Sequence, residues 1–136
     1  NNAIKNNVEI TWQQLDILSQ KPDCLSHIRS GNNLNDIIVS NPPYICHKEK
    51  ATMESRVLDY EPHRALFVPD DDPLLFYRAI AEFGCKCIEN DGWLFFEVNR
   101  AYARQVEALL LQKGYKETQI VKDQYDNDRF VCARKK

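Results

Sequence analysis

Asp36-Ile37-Ile38-Val39-Ser40 runs directly into Asn41-Pro42-Pro43-Tyr44, and this stretch decides the reading of the chain. Three consecutive β-branched residues, Ile37, Ile38 and Val39, predict a buried strand of a parallel sheet over 36–40. Pro42 and Pro43 have no amide hydrogen to give a ladder, so the strand must end before them. In open α/β sheets, ligands sit beyond the carboxyl ends of the strands. Asn41 to Tyr44 therefore fall where a ligand is expected.

Toward the N-terminus, Val8-Glu9-Ile10-Thr11-Trp12 alternates apolar and polar residues and predicts a short strand. Residues 13–35 are polar and turn-rich. Toward the C-terminus, residues 45–72 carry no sustained periodicity and end in Asp70-Asp71-Asp72, a long loop of the kind that is usually functional or disordered. Pro73 then suits a first helical position with Asp72 as its cap. Leu74, Tyr77, Ile80, Ala81, Gly84, Cys87 and Ile88 follow at helical spacing, up to a stop near Asn90-Asp91-Gly92. Trp93 to Val98 predicts a second central strand, broken only by Glu97. Ala101 to Lys113 predicts a helix, with Val106, Leu109 and Leu110 on one face and Gly114 as its stop. Two strands, Glu117–Lys122 and Arg129–Ala133, close the chain as an antiparallel hairpin. Strands fed by helical crossovers and ending in a hairpin define an α/β architecture.

Asn41 to Tyr44 suit one kind of chemistry. The nitrogen of an amide, or of an exocyclic amine on a base, is planar and poorly nucleophilic. Two acceptors aimed at its two hydrogens hold it in place and favour pyramidal character as a methyl group arrives. The Asn41 side-chain carbonyl is one such acceptor and the Pro42 main-chain carbonyl a second. Pro42 and Pro43 stiffen the turn, so both oxygens are fixed before substrate binds. Tyr44 offers a flat face to the planar acceptor, excludes water and adds cation–π attraction for a sulfonium donor. No general base has to act first.

The bulk properties agree with a soluble enzyme. The chain has 136 residues, 43% hydrophobic and 28% charged, with a net charge of −2. Its pI is near 5.9, which weighs against a module that grips nucleic-acid phosphate. No apolar run reaches the roughly 18–20 residues of a membrane span. The five cysteines, Cys24, Cys46, Cys85, Cys87 and Cys132, are odd in number and scattered, as in a cytoplasmic protein with reduced thiols. Cys85-x-Cys87 has no second pair to complete a zinc site, and His27, His47 and His63 show no ligand spacing, so no metal is expected.

Asn41-Pro42-Pro43-Tyr44 resembles the D/N/S-P-P-Y/F/W signature of S-adenosylmethionine-dependent amino-methyltransferases. The likeness extends through Val57-x-x-Tyr60-Glu61-Pro62-x-x-Ala65-Leu66, Phe76-Tyr77-Arg78, Gly92-Trp93-Leu94-Phe95-Phe96-Glu97, Gly114-Tyr115, Asp123 and Asp128-Arg129. Together these are similar to the HemK/PrmC family of release-factor glutamine N5-methyltransferases, from about Val8 to the C-terminus. The resemblance implies a Rossmann-like sheet and S-adenosyl-L-methionine as cofactor. It implies methylation of the glutamine amide in the Gly-Gly-Gln loop of class 1 peptide chain release factors. Asp16 matches the acid that reaches the adenine, with Ile17 beside it. Asn41 would touch both donor and acceptor, and Glu61 lies in the loop that covers the substrate. Glu97 reads better as a polar anchor for the neighbouring loop than as a catalyst. Arg129 is expected to pair with a nearby aspartate such as Asp123 or Asp126.

The sequence also departs from the family pattern. Asn99 stands where the family usually has glycine, and Asp72-Pro73-Leu74 replaces an Asp-Gly-Leu; both are expected to alter local loop geometry. The four glycines, Gly31, Gly84, Gly92 and Gly114, form no Gly-rich cofactor loop. Neither a ribose-binding acid nor an N-terminal helical domain is recognisable, and the chain opens on Asn1-Asn2-Ala3 without Met. The expectation is a C-terminal part of a class I methyltransferase catalytic domain over 1–136, truncated in its N-terminal half. Alone, it should bind cofactor weakly and self-associate through an exposed strand edge near Val8–Trp12. Two other readings stand beside this one. One makes the acceptor adenine N6 or cytosine N4 of DNA or RNA; the other makes the chain a catalytically incomplete module that binds a partner through residues 45–72.

Overall fold

The computed structural model describes residues 2–12, 14–19, 34–52 and 62–136, without the side chains of residues 52 and 64. The fold is α/β. A single helical turn, α1 (Asn2–Lys5), opens it. Among the described residues the main sheet has four strands: β1 (Asn35–Ser40), β4 (Ile88–Glu97), β5 (Lys116–Lys122) and β6 (Asp128–Arg134). Their spatial order is β1-β4-β6-β5. β1 and β4 run parallel, with Ile38 opposite Leu94 and Ser40 opposite Phe96. β5 and β6 form the expected antiparallel hairpin, and β6 inserts next to β4. A small parallel pair, β2 (Ile45–Cys46) with β3 (Phe67–Val68), lies apart from this sheet.

Among the described residues two helices cover the sheet. α3 (Leu75–Cys87) buries Tyr77, Ile80, Ala81, Gly84 and Cys87, the apolar stripe that the spacing predicts. α4 (Ala103–Gln112) buries Ala103, Val106, Leu109 and Leu110. Both stripes join Leu94, Phe96, Val98, Val131 and Ala133 of the sheet in one core. Gly114 ends α4 at φ +90°, a backbone conformation that favours glycine. The amides of Gly114 and Tyr115 then reach back to the carbonyls of Leu111 and Leu110, at 3.0 and 3.1 Å.

Several expectations need correction. Val8–Trp12 forms no strand: Val8, Ile10 and Trp12 are exposed, and nothing among the described residues pairs with them. Among the described residues β1 and β5 are the edge strands of the sheet, and on β1 Ile37 and Val39 are 57% and 77% exposed rather than buried. Their β-branched character fits the strand, but the helices pack on the opposite face, so apolar content overstated burial. The segment 45–72 is not structureless. It contains β2, a 3-10 helix (His47–Thr52), α2 (His63–Leu66) and β3.

Asp72 does not cap α3. The helix begins two residues later than expected, with Leu74 at its N-cap and no side-chain cap. The Asp72 carboxylate is taken by Arg78, 2.5 Å away. β4 starts at Ile88, earlier than the expected Trp93, and its register against β1 jumps between Asn35 and Ile37. Among the described residues no helix is long and apolar enough to cross a membrane.

Gly84 carries a testable consequence. A methyl group there would strike the Tyr115 hydroxyl and crowd Ile88 Cδ1 at 3.1 Å, and that hydroxyl donates to the Ala81 carbonyl at 2.9 Å. Gly84→Ala should therefore destabilise the fold by roughly 1–2 kcal/mol, overpacking outweighing the gain in helix propensity. Urea denaturation should show a smaller loss for the same change in a Tyr115→Phe background. Equal losses in both backgrounds would show that the hydroxyl is not the obstruction.

Candidate active site

Asn41 to Tyr44 leave the carboxyl end of β1 as an irregular turn. Pro42 is buried, Pro43 and Tyr44 are half-buried, and Asn41 is exposed. The Asn41 side chain makes no hydrogen bond among the described residues. Among these residues nothing competes for its carbonyl.

Tyr44 is held at its far end. Its hydroxyl donates to Glu97 Oε1 at 2.8 Å. The same oxygen lies 3.0 Å from Arg129 Nη2, and the Arg129 guanidinium sits over the Tyr44 ring, 5.9 Å from its centre. Glu97 thus anchors the neighbouring loop, as its position in an apolar strand predicts. Arg129 departs from expectation, because it pairs with Glu97 and not with an aspartate. Both aspartates are engaged elsewhere. Asp123 accepts the amides of Tyr125 and Asn127 at 2.8 and 3.1 Å. Asp126 pairs with Lys122 at 2.9 Å. The Asn127 amide is also the main cause holding the Asp123 carboxyl below its usual range.

Burial, reinforced by the hydrogen bond to Glu97 and its negative charge, pushes the Tyr44 phenol up to about 12. Tyr77, directly beneath, donates to the Glu97 carbonyl at 3.4 Å, and burial raises it further. Both phenols are therefore donors at neutral pH. The ring face that Tyr44 was expected to offer to a cation already has one, Arg129.

Asn99 is the residue that sequence reasoning undervalued. It is buried, and its side-chain NH2 donates to the Tyr44 carbonyl at 3.3 Å. The same group donates to both Glu49 oxygens at 3.1 Å, while its own carbonyl accepts the Ala101 amide at 3.0 Å. Glu49 in turn accepts the Cys46 amide at 2.9 Å. The only sequence sign was its departure from the family glycine. Tyr44, Glu49, Asn99, Arg100, Asp123, Asn127, Asp128 and Arg129 line a polar hollow of about 330 Å³ beside the turn.

An apolar groove of about 350 Å³ lies along Pro42 and Pro43, with Ile17, Ile38, Phe76 and Phe83 among its walls. The structure thus brings Ile17 to the turn. Asp16 is exposed next to it, and its Oδ1 accepts the Leu18 amide at 3.0 Å. Its other oxygen has no partner among the described residues. The groove's apolar walls suit a flat ring system. Glu61, Tyr60, Cys24 and His27 lie outside the described residues. His47 and His63 both pack against the Phe67 ring, at 5.2 and 5.6 Å. Among the described residues no group of three metal-ligating side chains comes together.

No family model matches the chain. It is 41% identical over 133 residues to the release factor glutamine methyltransferase of Bacteroides thetaiotaomicron, covering 98% of this chain and 47% of that protein. Its likeness to the enzyme of the same description from Flavobacterium psychrophilum is 44% over 130 residues, 96% of this chain and 43% of that protein. Over nearly its whole length the chain is similar to part of the release factor glutamine methyltransferases. It spans just under half the length of these relatives. A solved protein-(glutamine-N5) methyltransferase from Alicyclobacillus acidocaldarius resembles it with a TM-score of 0.42 and 16% identity, over 93% of this chain and 99% of that one. A likeness of that size says nothing about the site.

The Tyr44–Glu97 contact makes stability depend on alkaline pH. Burial and Glu97 favour the phenol over the phenolate, so the contribution is complete below the ordinary tyrosine value of 10. It is lost as pH rises from there through about 12. Tyr44→Phe should therefore unfold with a shallower alkaline loss of stability than the wild type, measured by urea titration at a series of pH values. Identical slopes would show that Tyr44 does not favour its phenol form in the fold.

Proposed function

We propose that Asn41–Tyr44 is the acceptor site of an S-adenosylmethionine-dependent N-methyltransferase, and that the chain is the C-terminal part of its catalytic domain. The proposed substrate is the side-chain amide of the glutamine in the Gly-Gly-Gln loop of class 1 peptide chain release factors. One observation carries the reading. The turn sits at the carboxyl end of a parallel strand, with Tyr44 fastened to Glu97 and the exposed Asn41 amide group unused among the described residues. The activity for which the relatives are named supports the choice of substrate.

The cofactor supplies an electrophilic methyl group. The chain's own residues bind and orient. Ile17 and the groove along Pro42 and Pro43 would take the apolar faces of the adenine, and Asp16, assigned on the family pattern, would accept from its amine. Asn41 and the Pro42 carbonyl each accept one hydrogen of the glutamine amide and hold its nitrogen toward the donor. Tyr44, with one face against Arg129, presents its ring to the planar amide. Glu97 is committed to Tyr44 and Arg129, so the proton lost after transfer leaves to solvent past exposed Asn41. Glu61 is assigned to substrate binding on the family pattern alone.

Asn41→Ala in the full-length protein should lower methyl transfer by roughly a hundredfold or more, with binding of the release factor little changed. Labelled cofactor incubated with a release factor and with single-stranded DNA, followed by mass spectrometry of the acceptor, checks both points. A label confined to adenine or cytosine would overturn the substrate. Full activity of Asn41→Ala would overturn the role of the turn.

A further inference from the structure

The geometry points to Asn99 and Glu49 as a paired clamp that sets the position of the acceptor turn. This rests on the reading of Asn41–Tyr44 as the methyl-acceptor site. One end of the turn is fixed by the sheet, since Ser40 is in register with Phe96 of β4. The other end is Tyr44, and its main-chain carbonyl receives the Asn99 NH2 at 3.3 Å. Pro42 and Pro43 remove most of the freedom between the two ends. Moving Tyr44 therefore moves the Pro42 carbonyl and Asn41 with it.

Asn99 is itself over-determined. It is nearly inaccessible to solvent, and its NH2 hydrogens go to the Tyr44 carbonyl and to the Glu49 carboxylate. The Ala101 amide fixes the orientation of the side chain, because it needs the Asn99 oxygen, not the nitrogen, facing it. Glu49 is fixed in the same way. It reaches back from the first turn of the 3-10 helix to the Cys46 amide at 2.9 Å, in the manner of a capping-box glutamate. Each partner thus orients the other, and together they join the end of β4 to the segment after the turn. Neither touches the reacting atoms; both are positioning residues.

Two arms test this. In the first, amide resonances of Tyr44, Ile45 and Cys46 are recorded by NMR for this chain and its Asn99→Ala variant. The clamp predicts shifts at all three and faster exchange of the Cys46 amide hydrogen. Unperturbed resonances would overturn it, whatever substrate is methylated. In the second, methyl transfer is measured in the full-length protein. Asn99→Ala and Glu49→Ala should each lower kcat roughly ten- to hundredfold, with KM for the release factor within a few fold. The double variant should lose little more than either single one, since both break the same unit. Glu49→Gln keeps an acceptor for Cys46 and Asn99 and should recover most of the loss. Additive losses, or a loss seen only in melting temperature, would overturn the clamp. An unchanged wild-type release factor would overturn the proposed function, and the first arm would still decide the clamp.

Discussion

The Glu97 carboxylate is the point on which the site depends. It sits at the end of β4, one of its oxygens accepts the Tyr44 hydroxyl, and Arg129 of β6 approaches the same oxygen. Three segments far apart in sequence meet there: the turn after β1, the end of the central strand and the start of the last strand. The ion pair is partly exposed, 40% at Arg129 and 24% at Glu97. Partly exposed pairs of this kind contribute little net stability, since screening and ordering of two long side chains offset the attraction. Its effect is directional. Arg129 keeps the carboxylate aimed at Tyr44, and the carboxylate keeps Tyr44 from turning into solvent.

The core explains why this point can be held at all. β4 supplies Leu94, Phe96 and Val98 to one face, and both helices close over them. Alternation then forces Glu97 to the other side of the strand, at the same level as the turn. The Phe96 ring meets the Tyr77 ring edge-on at 5.2 Å, and the Tyr77 hydroxyl in turn reaches the Glu97 carbonyl. The main chain that carries the anchor is therefore tied to α3. A loose core would leave Glu97 free to shift, and the turn would shift with it.

Periodicity made most of this legible. The apolar stripe Tyr77, Ile80, Ala81, Gly84 is α3, the run 93–97 is the core of β4, and Gly114 ends α4. The turn and the anchoring part of Glu97 followed from a proline pair and from one charge in an apolar strand. Other features depended on which partner lies near in space, which spacing does not encode. Asp72 is a good cap by residue type, but Arg78 on the next turn takes its carboxylate. Arg129 had two aspartates close in sequence and pairs with a glutamate across the sheet. Val8–Trp12 alternates like a strand, yet a strand needs a neighbour, and none of the described residues supplies one. Ile37 and Val39 read as buried because β-branched content reports on strand character and not on which face is covered.

Asn99 shows how a departure from a family pattern is to be weighed. A glycine at that position has no side chain to donate, so the carbonyl of Tyr44 would have to find another partner or face water. An asparagine there brings a buried polar group, which costs free energy unless its hydrogen bonds are met. Here its two hydrogens and its oxygen all have partners, and one of them lies inside the acceptor turn. The cost of burial is offset only in a geometry that also fixes Tyr44. The substitution that looked confined to loop geometry therefore bears on the main chain of the turn itself, and it couples that turn to the 3-10 helix through Glu49. The acceptor side is thus fastened from two directions within this chain, by Glu97 on the ring and by Asn99 on the backbone. Losing either leaves the other in place, so a single substitution should tilt the turn rather than release it.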